Sequence, residues 1–255
     1  MATNMLGNAK FKVFIPSYKR WDTIKKSVVN KMAPYVDVSV VALSEDEANY
    51  RRVLSNEVKF IPVDKSSEGR LAKKRNWILD NCFTKDLDFI VMMDDDVEGI
   101  YFMLGENPER ISEENYGQIF EETYLLAETV GAPAFGFSNT INIRNMIGKR
   151  MNPISFHSLF SEVCIGFLDR GFRYDEKVNI RVDVELLCRM LYQKGILCKN
   201  GFYGIREIVT YGAGSGGLRE SSNKKFLEDD NKYIIKKYGL FAKRFIDLMK
   251  GSFYK

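Results

Sequence analysis

The chain has 255 residues, of which 45% are hydrophobic and 28% are charged, as in an ordinary globular protein. No apolar window approaches the length of a membrane span and the N-terminus lacks the apolar core of a signal peptide, so we predict a cytoplasmic protein without membrane contact. The formal net charge of +4 permits an anionic partner without requiring one. The four cysteines form no CxxC pair and there is one histidine, which argues against a zinc site.

Short apolar runs alternate with amphipathic segments over the first hundred residues. We predict strands at 11–15, 36–43, 58–63 and 89–93, and helices at 22–32, 45–54 and from about residue 70 to residue 82. Alternation of strands and helices predicts a mostly parallel sheet with helices on its faces. Ligands bind such sheets at the carboxyl ends of the strands.

Three consecutive acids, Asp94, Asp95 and Asp96, follow the most apolar of these strands. Adjacent carboxylates repel one another, and hard divalent cations such as Mg²⁺ and Mn²⁺ prefer carboxylate oxygens. One interpretation is therefore a site for a divalent cation. The alternative is a solvated acidic turn at the edge of the sheet.

Basic segments follow two other predicted strands. Residues 16–20 form a polar, basic loop between the first strand and a helix, an arrangement that often binds phosphate. Arg70, Lys73, Lys74 and Arg75 crowd the first turns of the helix after the third strand, where the helix dipole disfavours positive charge. Either a bound anion such as a diphosphate or a solvated helix face would account for them. All these segments follow strands and are expected to meet at one rim of the sheet.

The second half is less regular. Predicted elements there are a helix from about residue 112 to 130, strands at 134–137 and 161–168, a turn-rich hairpin at 139–154, a helix at 184–194 and strand segments at 196–198 and 202–209. Asp183 can cap the second helix and Gly195 can end it. The glycine-rich segment 211–219 is either a lid over a ligand or an ordinary linker before the amphipathic, basic residues 223–255.

Taken together, these motifs resemble the nucleotide-sugar glycosyltransferases of the GT-A fold. The resemblance rests on the basic loop, on Gly69 followed by Arg75-Asn76, on the strand into Asp94–Asp96, and on Asp183-Val184-Glu185 opening a helix. It implies an α/β, GT-A-like, Rossmann-type mixed sheet, mostly parallel and flanked by helices, with a helical C-terminal extension. It also implies one domain, with a nucleotide-binding half at about 10–100, an acceptor-binding half at 101–220 and C-terminal helices at 221–255.

The same resemblance implies roles for individual residues. Asp94 and Asp96 would hold Mn²⁺ or Mg²⁺ on the diphosphate of a UDP-sugar, the donor substrate. Asp183 would be the general base, with Glu185 in reserve. The residues expected at the nucleotide are Pro16, Ser17, Tyr18, Arg20, Gly69, Arg75, Asn76 and Asp95. The family often adds a late histidine to the metal site, but none follows His157, so the third protein ligand stays open.

More narrowly, the compact length and residues 15–23, IPSYKRWDT, are similar to the bacteriophage-type TET-associated glycosyltransferases. That resemblance implies transfer of one sugar to 5-hydroxymethylpyrimidines such as hydroxymethylcytosine, with DNA as the acceptor and partner, and a place in the host cytoplasm if the origin is a phage. With Asp183 as base, the reaction would invert the anomeric centre. The alternatives are a surface glycan or protein as acceptor, a Mg²⁺-dependent nucleotidyltransferase, or a DNA-binding module without activity.

Overall fold

The computed structural model describes residues 9–68, 71–104, 107–138, 141, 153–160, 163–208 and 224–253. Its strands are β1 Phe11–Pro16, β2 Val38–Leu43, β3 Lys59–Val63, β4 Phe89–Met93, β5 Val97–Phe102, β6 Glu109–Arg110, β7 Ala134–Ser138, β8 Ile154–Ser155, β9 Cys164–Phe167 and β10 Cys198–Glu207. Its α-helices are α1 Trp21–Ile24, α2 Val29–Met32, α3 Glu47–Arg51, α4 Leu71–Asn81, α5 Tyr116–Thr129, α6 Val182–Lys194, α7 Lys224–Tyr238 and α8 Leu240–Phe253.

All ten strands belong to one sheet, in the order β3-β2-β1-β4-β9-β7-β10-β5-β6, with β8 paired to β10. The first four strands in this order run parallel, as the strand and helix alternation predicts. β9 is antiparallel to both of its neighbours, and β10 is parallel to β7 but antiparallel to β5. The predicted α/β mixed sheet with helices after it is confirmed.

The central strands are buried on both faces. Val13 and Ile15 of β1 pack in one apolar layer together with Phe120 of α5. Phe14, which lies between them, points to the opposite layer, where it packs with Ile78 of α4. Successive strand residues face opposite sides. A strand covered by helices on both sides is therefore apolar along its whole length, which is why the boundaries of β4 agree with the prediction.

The predicted helix at 22–32 is instead two short helices, α1 and α2. Between them the backbone N–H of Val28 donates to the carbonyl of Val97 at 3.0 Å. The hydroxyl of Ser27 donates to the carbonyl of Ile24 at 2.9 Å. These bonds replace the regular helical pattern. The partner strand of Val28 is β5, which the sequence did not predict, so the break could not be predicted either.

α6 begins two residues earlier than the sequence predicts. Its first residue is Val182 and its N-cap is Arg181, so the predicted capping role of Asp183 is wrong. Gly195 ends the helix in the left-handed region at φ 75°, as predicted. The two predicted late strand segments form the single strand β10. The predicted hairpin around Gly148 and the glycine-rich segment 211–219 lie outside the described residues.

The C-terminal helices α7 and α8 pack against α6. Val184 and Cys188 of α6 form a small core with Ile234 of α7 and with Ala242 and Ile246 of α8. Within the described parts of the chain, no helix is long and apolar enough to cross a membrane. The division into nucleotide-binding and acceptor-binding halves stays a prediction.

Candidate metal and nucleotide site

The acidic run forms the tight connection from β4 to β5, at the carboxyl end of β4. Asp95 and Asp96 are 3% and 1% exposed. The side chain of Asp94 is 27% exposed. This connection is therefore not the solvated turn that the sequence left open, because burying carboxylates requires partners for their charge.

Glu207 joins two of these aspartates. One carboxylate oxygen each from Asp94, Asp96 and Glu207 lie within 4.8 Å of one another. Glu207 is the last residue of β10, and a register shift after Arg206 places it opposite Val97 at the start of β5. The backbone N–H of the next residue donates to the carbonyl of Asp96 at 2.7 Å, which fixes the strand end beside the acidic turn.

The sequence analysis missed Glu207. A strand was predicted at 202–209, but its neighbours in the sheet were not. The signal would have been the short apolar segment immediately after Asp96. Read as a strand returning from the acidic turn, it places its antiparallel partner's last residues beside the acids.

The donor set fits a hard divalent cation. Three carboxylates supply the oxygen ligands that Mg²⁺ and Mn²⁺ prefer. In addition, Oδ1 of Asp96 is buried and has no hydrogen-bond partner among the described residues. A buried carboxylate oxygen without a partner is costly, and a bound cation would satisfy it.

Two arginines hold the aspartates from either side. Arg20 donates to Oδ1 of Asp95 at 2.7 Å and to Oδ2 of Asp96 at 2.8 Å. Arg75, which is 1% exposed, donates to Oδ1 of Asp94 at 2.7 Å. The unfavourable placing of Arg75 early in α4 is thereby explained, because it contacts acids of its own chain.

Asp95 faces the loop after β1 rather than the carboxylate cluster. The Ser17 hydroxyl donates to it at 2.5 Å, and the Tyr50 hydroxyl is 2.8 Å from that of Ser17. Burial raises the pKa of Asp95 to about 7, although Arg20 and the bond from Ser17 act in the opposite direction. Asp95 therefore anchors the loop 16–20 to the acidic turn.

The third segment, after β3, contacts the same loop. Lys74 of α4 donates to the carbonyl of Ser17 and pairs with the carboxylate of Glu68. Its ammonium also lies 5.7 Å from the centre of the Tyr18 ring. Pro16 is buried at the end of β1, and Gly69 lies outside the described residues. The structure thus brings all three predicted segments to one rim of the sheet.

Asp183 lies at the second position of α6, close to this rim. Burial raises its pKa, while a bond from the backbone N–H of Val184 and the charges of Arg181 and Arg75 lower it. Because Arg75 also pairs with Asp94, its influence on Asp183 connects the predicted base to the acidic cluster.

Two other predicted site residues have partners elsewhere. Glu185 is fully buried against α7, where it accepts from Lys237 and from the Tyr238 hydroxyl, both at 2.7 Å. Asn76 pairs with the backbone of Tyr174, accepting at 2.7 Å and donating at 3.0 Å. The structure therefore does not bring Glu185 or the amide of Asn76 into the acidic cluster.

The model of one protein family, the TET-associated glycosyltransferases, matches residues 11–198. The chain belongs to this family. It is therefore a nucleotide-sugar glycosyltransferase, which the sequence analysis predicted. The matched residues run from β1 to the first residue of β10, so they include Asp94, Asp96 and Asp183 but neither Glu207 nor the two C-terminal helices. Among curated proteins, none matches this sequence.

The comparison with solved structures gives matches at low sequence identity. Glucosyl-3-phosphoglycerate synthase from Mycobacterium tuberculosis, solved with Mg²⁺ and uridine diphosphate, is 13% identical with a TM-score of 0.50, covering 91% of this chain and 80% of that one. TarS from S. aureus is 15% identical with a TM-score of 0.41, covering 76% of this chain. This chain spans only 36% of TarS. The similarity to the synthase supports the predicted GT-A-like fold and nothing finer.

Proposed function

We propose that this glycosyltransferase moves one sugar from a UDP-sugar to the hydroxyl group of 5-hydroxymethylpyrimidines in DNA, with Mn²⁺ or Mg²⁺ held by Asp94, Asp96 and Glu207. The observation that carries the proposal is the carboxylate cluster at the end of β4 in a member of a glycosyltransferase family. The synthase with a similar fold was solved with Mg²⁺ and uridine diphosphate, which supports this choice of donor and metal.

The cluster suits a diphosphate leaving group. A divalent cation bound there would stabilise the negative charge that grows on the diphosphate in the transition state. The protein's own contribution is to fix its ligands. Arg75 orients Asp94 and Arg20 orients Asp96, each at hydrogen-bonding distance, so the carboxylates need little rearrangement when the donor binds.

Asp183 is the proposed general base. It would take the proton from the acceptor hydroxyl as the oxygen attacks the anomeric carbon, and the reaction would invert that centre. Burial raises its pKa from the ordinary value of 3.8, which makes its carboxylate a stronger base while Arg75 and Arg181 favour the ionised form. General-base assistance typically contributes about 10²–10⁴-fold to the rate.

Support for the acceptor comes from the family. The chain belongs to the TET-associated glycosyltransferases, the resemblance that implies a hydroxymethylpyrimidine acceptor, and the net charge of +4 is compatible with DNA. Membership of a glycosyltransferase family favours sugar transfer over nucleotidyl transfer. If the acceptor were instead a surface glycan or a protein, the experiment below would leave the DNA unmodified.

The experiment supplies each of several UDP-sugars with Mn²⁺ and duplex DNA containing 5-hydroxymethylcytosine, and then weighs the digested nucleosides by mass spectrometry. We expect the mass of one sugar on hydroxymethylcytosine and none in a duplex with ordinary cytosine. If UDP is released but the DNA stays unmodified, the proposal that DNA is the acceptor would be contradicted. If no UDP-sugar reacts and a nucleoside triphosphate is turned over instead, the proposal that a UDP-sugar is the donor would be contradicted.

Asp183→Asn tests the base in the same assay. The amide cannot accept the proton, so we expect kcat to fall by about 10²–10⁴-fold while the Kd for UDP with Mn²⁺ stays within about twofold of the unsubstituted enzyme. Weaker binding of UDP with normal turnover would contradict the assignment.

A further inference from the structure

Helix α7 lies outside the residues that the family model matches, yet it contacts the segment that leads into the proposed base. Asp230 of α7 is 2% exposed. Its carboxylate accepts from the backbone N–H groups of Asn179, Ile180 and Arg181 at 3.0, 2.6 and 3.0 Å. It also accepts from the side-chain amide of Asn179 at 3.2 Å. One carboxylate thus binds three consecutive backbone donors immediately before α6.

α7 also contacts the chain before and after the segment 179–181. Before it, Asp175 accepts from the Tyr233 hydroxyl at 2.7 Å and from Lys237 at 3.0 Å. After it, Glu185 accepts from the same Lys237 at 2.7 Å. Asp183 lies between the last two anchored positions, so α7 restrains the backbone both before and after the proposed base.

This distant acid holds the segment that leads into α6, whose N-cap residue makes no capping bond of its own. Arg181 occupies the N-cap position and makes no capping bond with its own side chain. Helix starts usually satisfy their backbone donors with a nearby Ser, Thr, Asp or Asn. Here Asp230 accepts from the donors just before the helix, and it comes from an element about fifty residues later in the chain.

We propose that Asp230 is a positioning residue for Asp183, an inference that rests on the proposed function. By holding the backbone of 179–181, Asp230 sets the start of α6 and therefore the place of Asp183 beside Arg75 and the acidic cluster. Its carboxylate accepts from the segment before α6, and among the described residues these hydrogen bonds involve none of the three acids of the cluster. Small displacements of a catalytic group, of about 1 Å, can cost about 10²-fold in rate.

Asp230→Asn tests this role. The amide group keeps one acceptor oxygen but turns an NH₂ group toward backbone N–H donors, which loosens the segment without removing the side chain. We expect kcat for transfer to fall about 10- to 100-fold, while KM for the UDP-sugar stays within about twofold. Asp229→Asn is the matched control, because it makes the same change at the neighbouring, exposed residue and should leave kcat and KM unchanged.

A purely structural role would give a different result. Loss of stability lowers the number of folded molecules but not the turnover of each one. We therefore measure kcat per UDP-binding site, with the sites counted by calorimetric titration with UDP and Mn²⁺ well below the melting temperature. A kcat per site equal to that of the unsubstituted enzyme would overturn the positioning role.

A milder variant keeps the test decisive if Asp230→Asn does not fold. Asp230→Glu keeps the charge but moves the carboxylate by one methylene group relative to the backbone of 179–181, and a several-fold lower kcat per site is expected; an unchanged value would overturn the proposal. Asp183→Asn separates the two proposals. Full turnover in that variant would overturn both, whereas slow Asp183→Asn with normal Asp230→Asn would overturn only the positioning role.

Discussion

Glu207 is the residue that most changes the interpretation of the sequence. A cluster of two aspartates leaves a metal ion with few protein ligands, and no histidine follows His157 to add one. The last residue of β10 brings a third carboxylate to within 4.8 Å of Asp94 and Asp96. Glu207 is therefore our candidate for the third protein ligand of the proposed metal site.

Glu207→Gln tests this at the residue scale. Replacing one carboxylate by a neutral amide should weaken Mn²⁺ binding by about tenfold or more, because changes even in residues that support metal ligands cost about 10- to 100-fold in affinity. The measurement is the Mn²⁺ concentration that gives half-maximal release of UDP. Glu114→Gln, a change at an exposed residue of the same type, serves as control. Equal Mn²⁺ dependence in both variants would show that Glu207 is not a ligand.

A site residue could be predicted when a local sequence pattern marks it, and could not when its partner is distant in the chain. Asp94 and Asp96 follow an apolar run in the sequence, so a local pattern is sufficient. For Arg75 the sequence left open a bound anion or a solvated helix face, and the structure pairs it with Asp94, which lies nineteen positions further along the chain. Glu185 and Asn76 look like members of local motifs, yet their partners come from α7 and from the loop before α6. Only the tertiary structure distinguishes such cases.

At the scale of elements, prediction succeeded where burial decides the pattern. β4 was predicted with its correct ends because both of its faces are covered, and Gly195 ends α6 as predicted. Prediction failed where contacts with a segment distant in the sequence determine the secondary structure. β5 was missed because it follows the acids directly, and the helix at 22–32 is broken by a bond to that same strand. Because β5 was not predicted, neither the role of Glu207 nor the break between α1 and α2 could be predicted.

The anchoring of α7 predicts a dependence of stability on pH. Burial alone would raise the pKa of Asp175, but bonds from the backbone of Lys177, from Tyr233 and from Lys237 outweigh it and lower the pKa to about 2. A carboxylate with a lowered pKa stabilises the fold above its unfolded value of 3.8, and this contribution is lost as the pH falls toward 2.

Asp175→Asn should therefore lower the free energy of unfolding by about 2 kcal/mol at pH 7, and the difference from the unsubstituted protein should shrink between about pH 4 and pH 2. Urea unfolding across this range measures both effects. Asp229→Asn on α7, where the carboxylate is exposed, should show neither. A difference that stays constant down to pH 2 would mean that the ionised form of Asp175 is not what stabilises the structure.

For the whole molecule, the sheet topology explains how distant segments form one site. The parallel half, β3-β2-β1-β4, brings the loops after β1, β3 and β4 to one rim. The antiparallel pair of β5 and β10 then returns Glu207 to the same rim, from beyond the residues that the family model matches. The α7 and α8 helices pack on α6, which carries Asp183. Donor site and proposed base thus depend on elements from the whole described chain.

Because the cluster joins separate parts of the sheet, donor binding should stabilise the whole fold in a metal-dependent way. A ligand present at 100 times its Kd adds about 2.7 kcal/mol to the free energy of unfolding. In a domain of this size about 1 kcal/mol corresponds to about 2–4 °C, so UDP with Mn²⁺ should raise the melting temperature by about 5–10 °C. With EDTA in place of Mn²⁺, or with Asp94→Asn and Asp96→Asn combined, UDP should give little of this increase. An equal increase in the presence of EDTA would show that the nucleotide binds without a cation on these acids, and the metal site would have to be abandoned.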